Sequence, residues 1–132
     1  MGTLGNILLV LVLGFVGLIV ATQVLVQVRA RSAAGKPLPP LPGDVGDRIT
    51  RSKHALVYFF SPMCGACRSI TPRVKNLEKR GGDVFAIDVS QTAEVARALR
   101  IMATPSTVEV ADGKIVGFHI GPVPEEVFAR FG

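Results

Sequence analysis

The chain contains two cysteines, and both fall in the run Ser61-Pro62-Met63-Cys64-Gly65-Ala66-Cys67-Arg68. Two thiols spaced in this way can open and close a disulfide or join a metal site, and the flanking elements bear on which. The pair follows a continuous apolar run, Ala55 to Phe60. It precedes a segment in which Cys67, Ile70, Val74 and Leu77 recur at intervals of three and four. The cysteines are thus expected between a buried strand and an amphipathic helix. A thiolate in the first turn of a helix meets unpaired backbone N–H groups and the positive end of the macrodipole, which lower its pKa. Cys64 is the candidate attacking nucleophile. Cys67 heads the buried stripe, so it is shielded and less ionised, yet close enough to resolve a mixed disulfide on Cys64.

Two other uses of the thiols compete. A purely structural disulfide is a poor staple here, because so short a loop removes little entropy from the unfolded chain. A tetrahedral zinc site would have to recruit His54 and His119, and neither has ligand spacing to the cysteines or to the other. No metal and no other cofactor is expected.

The elements that must position the pair follow from the remaining pattern. Val84 to Val89 repeats the buried-strand signal, and Thr107 to Ala111 and Lys114 to Ile120 are strand-like runs joined through the hairpin turn Asp112-Gly113. Helices are expected from Cys64 to Arg80, stopping at Gly81-Gly82, from Thr92 to Arg100, and after Pro124. The order is β-α-β-α-β-β-α, an α/β domain with a mixed central sheet flanked by helices. It occupies about residues 44–132.

From Ala55 onward, about three fifths of its length, the chain resembles the thioredoxin family. Four features carry the resemblance: the apolar strand before Cys64-Gly65-Ala66-Cys67, Pro72 five residues after Cys67, Thr104-Pro105 before the next strand, and Asp112-Gly113 with Gly121 in the closing hairpin. The resemblance implies a thioredoxin-like fold, a thiol-disulfide oxidoreductase, protein disulfide or dithiol substrates, and a redox partner that recycles the cysteines. It makes Pro105 a cis-proline packed against the motif, with the backbone of Thr104 pairing with substrate as a short added strand. Met63 stands where the family has tryptophan and keeps an apolar contact surface for substrate. Gly65 and Ala66 form the motif interior in place of Gly-Pro. Tyr58 replaces the buried acid that helps deprotonate the second cysteine in reductive members, and a phenol is a poor base at neutral pH. The family's first strand and helix look truncated, with only Gly43 to Lys53 available for them. The competing function is a thiol-based metal-binding or redox-dependent binding module without turnover.

The N-terminal part is of another kind. Ile7 to Val26 is an uncharged run of twenty residues, long enough at about 1.5 Å per residue to span a bilayer core of roughly 30 Å. A cleaved signal peptide fits less well, because no basic n-region precedes the run and the run is too long. Residues 1–28 are read as a transmembrane anchor and 29–43 as a basic, proline-rich spacer containing four prolines. The formal net charge of +5 does not form a nucleic-acid stripe, since interleaved aromatics are absent. Arg29, Arg31 and Lys36 instead suit anionic headgroups. The positive-inside rule then favours the cytoplasmic face for the redox domain of a single-pass protein, although many anchored relatives are periplasmic or extracellular.

Overall fold

A computed structural model describes residues 2–33 and 35–132, with side chains for all of these except residues 26 and 29–33. Helix α1 (Thr3–Ala33) is followed by α2 (Gly43–Arg51), β1 (His54–Phe60), α3 (Cys67–Lys79), β2 (Val84–Asp88), α4 (Glu94–Ala98), β3 (Ser106–Ala111), β4 (Lys114–Ile120) and α5 (Glu125–Phe131). The four strands form one sheet in the order β2-β1-β3-β4. β1 runs parallel to β2 and antiparallel to β3, and β3 and β4 form the hairpin across Asp112-Gly113. The sheet is mixed, as expected, with the expected element order from β1 onward.

Period-two alternation along β1 divides the interior into two layers. Ala55, Val57 and Phe59 point to one face, where Ile49 of α2, Val95 of α4, and Val108 and Val110 of β3 pack on them. Leu56, Tyr58 and Phe60 point to the other, against Cys67, Ile70, Val74 and Leu77 of α3 and Val127 and Phe128 of α5. Each large apolar side chain buried here contributes roughly 1.5–3 kcal/mol. The helix stripe and the strand alternation thus meet in one layer.

Several boundaries differ from expectation for local reasons. α3 begins at Cys67, three residues later than its sequence suggests, because Cys67 and Arg68 donate to the carbonyls of Cys64 and Gly65 in tight turns that precede it. α4 is shorter than Thr92 to Arg100, and Arg100 sits at φ 55°, a left-handed conformation that ends a helix. Residues Gly43 to Arg51 form a helix, preceded among the described residues by a single bridge of Pro37 to Lys114 and no longer strand; Asp44 in its first turn and Arg48 and Arg51 in its last complement the macrodipole.

The proline-rich segment, expected as a stiff spacer, lies against the edge of the sheet. α1 continues through Ala33, and residues 35–38 are hydrogen-bonded to β4 and the turn before it: Gly35 N–H donates to the Ile115 carbonyl, Ile115 N–H to the Lys36 carbonyl at 2.9 Å, and Leu38 N–H to the Gly113 carbonyl at 2.9 Å. Leu41 is buried in the α2 and α4 layer. Gly46 permits this approach, since a Cβ there would lie 2.6 Å from the Leu41 carbonyl. The Arg29 and Arg31 side chains, expected to meet headgroups, lie outside the described residues.

One ionic cluster closes the α5 layer. Glu109 of β3 is 4% exposed. Arg130 of α5 donates to both its carboxylate oxygens at 2.9 Å, and His119 Nε2 lies 3.0 Å from Oε1. Gly117, opposite Glu109 in the hairpin, leaves room for the carboxylate, because a Cβ there would sit 2.8 Å from Oε1. Burial by itself would raise the Glu109 carboxyl, but the bonds from His119 and Arg130 outweigh it and hold the group below the usual carboxylate range. A depressed folded-state pKa gives stability that is complete above the unfolded value of about 4.3 and is lost as pH falls through the folded value. Glu109→Gln should lower stability at neutral pH by about 1–3 kcal/mol and flatten the acid limb of a denaturation series against pH. An unchanged acid limb would remove the cluster from the pH response.

Candidate functional site

The buried strand β1 delivers the chain at Phe60 to a turn containing Ser61 and Pro62, where Cys64 N–H donates to the Ser61 carbonyl at 3.0 Å and Met63 N–H to Ser61 Oγ at 3.3 Å. Cys64 follows in this turn, and Cys67 begins α3. The two are joined in a disulfide, with Cα atoms 5.3 Å apart. Their environments differ as their order in the chain suggests: Cys64 is half-buried at the surface, and Cys67 is 2% exposed within the α3 and α5 layer. The Cys67 and Arg68 amides are engaged in the turn, while the Gly65 and Ala66 amides have no backbone partner among the described residues. They leave open donors beside Cys64 at the positive end of α3.

The remaining expected site residues fall on two loops. Met63 is 92% exposed immediately before Cys64. The Thr104–Pro105 peptide bond is cis, and the Pro105 carbonyl accepts from Gly121 N–H at 2.9 Å, tying it to the end of the hairpin. Thr104 itself makes no backbone bond among the described residues, so its amide and carbonyl stand open just before β3. Within α3, Pro72 lacks the N–H that would otherwise reach the Arg68 carbonyl.

Tyr58 lies on the β1 face that packs against Cys67 and is fully buried. Its hydroxyl meets Thr71 Oγ1 of α3 at 3.0 Å. Burial pushes the phenol above the ordinary tyrosine range, with the Thr71 bond acting the other way. It therefore stays protonated at neutral pH and cannot take a proton from Cys67. Sequence reading missed three neighbours. Thr71 was hidden because nothing local pairs it with a residue thirteen positions earlier. Thr107 Oγ1 is buried on β3 without a hydrogen-bond partner among the described residues. Met102, 92% exposed two residues before Thr104, offers a second flexible apolar side chain, and its nearness to Thr104-Pro105 was the available signal.

The thioredoxin family model matches residues 45–131, so the chain belongs to the thioredoxin family. Thioredoxin of Bacillus subtilis is 32% identical over 74 residues, spanning 54% of this chain and 71% of that protein. Thioredoxin Asp f 28 of Aspergillus fumigatus is 30% identical over 86 residues, spanning 60% and 80%. The solved structure of a reduced Schistosoma mansoni thioredoxin pre-protein superposes with a TM-score of 0.56 at 28% identity, covering 70% of this chain and 93% of that one. With its close cysteine pair at the exit of β1, the protein is a thiol-disulfide oxidoreductase.

The Tyr58 geometry yields a direct test. Tyr58→Asp places a carboxylate beneath Cys67, where burial raises its pKa toward neutrality and makes it a useful base. Resolution of a mixed disulfide should then quicken near neutral pH, while stability falls because an ionisable group is buried. Tyr58→Phe should lose about 1 kcal/mol with the Thr71 bond and leave the rate unaltered. Stopped-flow measurement of resolution against pH distinguishes these outcomes, and equal rates in all three folded proteins would make Tyr58 a packing residue only.

Proposed function

We propose that the protein is a membrane-anchored enzyme that exchanges disulfides with protein substrates. The observation that supports this most is the asymmetry of the pair, with Cys64 accessible at the surface and Cys67 buried behind it. In the reduced protein the Cys64 thiolate attacks a substrate disulfide, forming a mixed disulfide and releasing one substrate thiolate, which takes up a proton. Cys67, once deprotonated, attacks Cys64 sulfur, releasing the second substrate thiolate and closing the Cys64–Cys67 bond. The substrate gains two electrons and the pair loses two; a redox partner reduces the pair again. Run in reverse, the same steps oxidise a substrate dithiol. Met63 supplies apolar contact, and the open backbone of Thr104 beside Pro105 pairs with the substrate chain.

Helix α1 supports the anchor. Its span from Thr3 to Leu25 is long and apolar enough to cross a membrane and has no burial against the rest of the protein. Within this span Thr22 Oγ1 bonds back to the Leu18 and Ile19 carbonyls at 3.1 and 2.7 Å, which meets a polar group's need inside hydrocarbon. The cations that follow the run favour a cytoplasmic redox domain.

Full-length protein in detergent should reduce insulin with dithiothreitol, and a parallel zinc titration should show no tight stoichiometric site. Tight metal binding without turnover would replace the enzyme reading with a binding module. Cys67→Ser should accumulate mixed disulfides through Cys64, and Cys64→Ser should not; equal trapping reverses the order of attack. In intact cells, the reduced protein should resist a membrane-impermeant maleimide until the membrane is opened, and immediate labelling would place the domain outside.

A further inference from the structure

The two edges of the sheet are treated differently by the rest of the chain. The segment after α1 lies along β4, with its bonds to Gly113 and Ile115. β2, at the other edge, has no strand beside it among the described residues. In the parallel ladder Leu56 N–H reaches Asp83 and Val89 N–H reaches Phe60, so Phe85 and Ile87 bond inward to β1, and the backbone groups of Val84, Ala86 and Asp88 face outward. The Asp88 carbonyl is met by the Gln91 and Thr92 amides at 3.2 and 2.9 Å. The Ala86 amide is met, among the described residues, by a side chain alone, Glu78 Oε1 of α3, at 3.2 Å.

This edge is the floor of a trough of about 690 Å³ walled by α2 and α3, and the Cys64–Cys67 disulfide lies at its mouth. Its walls carry apolar surface capped by cations: Arg48 stands 5.1 Å from the Phe85 ring centre and Lys75 5.1 Å from that of Phe60. A smaller cavity continues past Phe85 with Arg51 and Lys53. With Arg68, the rim holds Arg48, Arg51, Lys53, Arg68 and Lys75 against Glu78, Asp83 and Asp88. Two of those acids are already engaged, Glu78 with Ala86 and Asp88 with the Ser90 amide and hydroxyl.

We infer that this trough docks an extended, acidic segment of a substrate protein as an added strand on β2, holding the substrate beside the disulfide. The floor supplies main-chain bonds and the rim supplies complementary charge. Glu78 acts as a removable cover, occupying the donor that a bound strand's carbonyl would take and guarding an otherwise exposed edge. A second copy of this chain suits the trough poorly, because edge-to-edge pairing brings two basic rims together. The inference deepens the exchange reading and rests on it only for the use made of the bound segment.

The test uses the oxidised full-length protein in detergent micelles and a fluorescent, cysteine-free peptide of alternating Glu and Val, with a Lys and Val peptide as control. Anisotropy should show binding of the acidic peptide alone, weakening with salt, with hydrogen exchange slowed at the Val84 and Ala86 amides. Glu78→Ala frees the donor and removes a like charge, and should tighten binding about threefold or more. Ala86→Pro leaves the β1 ladder intact but deletes the outward N–H, and should weaken binding about tenfold. Binding of both peptides alike, no gain with Glu78→Ala, or dimerisation through β2 that excludes the peptide would overturn the inference. If Ala86→Pro does not fold, Glu78→Ala decides the matter. Because the peptide has no thiol and the pair stays oxidised, peptide binding without insulin reduction would sink the exchange reading alone.

Discussion

The burial of β1 on both faces is the constraint from which the site follows. Residues Ala55 to Phe60 are buried throughout, so each side chain must be satisfied by a helix on its own side of the sheet. α3 meets one face with the stripe that begins at Cys67, and this stripe fixes the rotation of the helix about its axis. Once that rotation is set, Cys67 points inward, and the turn leading from Phe60 has room to carry Cys64 to the surface. The difference in exposure between the two sulfurs is thus a consequence of packing several residues away.

The same constraint explains why proton transfer is the unusual feature of the site. A position on β1 facing Cys67 is sealed from water, and whatever ionisable group stands there has its pKa displaced toward the neutral form. A carboxyl so displaced becomes a base near neutral pH, whereas a phenol moves further from usefulness. Tyr58 fills the volume and satisfies its hydroxyl on Thr71, which stabilises the layer without supplying an acceptor. The proton on Cys67 therefore has no fixed destination among the side chains bonded to Tyr58.

The chain spends its N-terminal segment on the β4 edge, and this choice shapes the surface around the disulfide. The bonds from residues 35–38 cover the start of β4 and lead Leu41 into the core, from which α2 returns across the sheet. With no strand beside β2 among the described residues, the helices α2 and α3 face each other across an open edge. Glu78 and the cations around it lessen the exposure of that edge, as charged side chains do on other unpaired strands.

Much of the site was legible in the residues. Cys64 and Cys67 between an apolar run and a stripe at helical spacing gave their unequal burial, and Asp112-Gly113 marked the hairpin, because each signal is local and set by backbone period or turn geometry. The helical Gly43 to Arg51 segment, the later start of α3, and the docking of the proline-rich segment were not legible in this way. Nor was the cluster that draws Glu109, His119 and Arg130 from three elements, or the bond from Tyr58 to Thr71. These depend on which edge a strand occupies and which side chains face across a layer. Pairings between residues distant in the chain have no periodic signature, and their partners are chosen only when the sheet has assembled and buried polar groups must find one another.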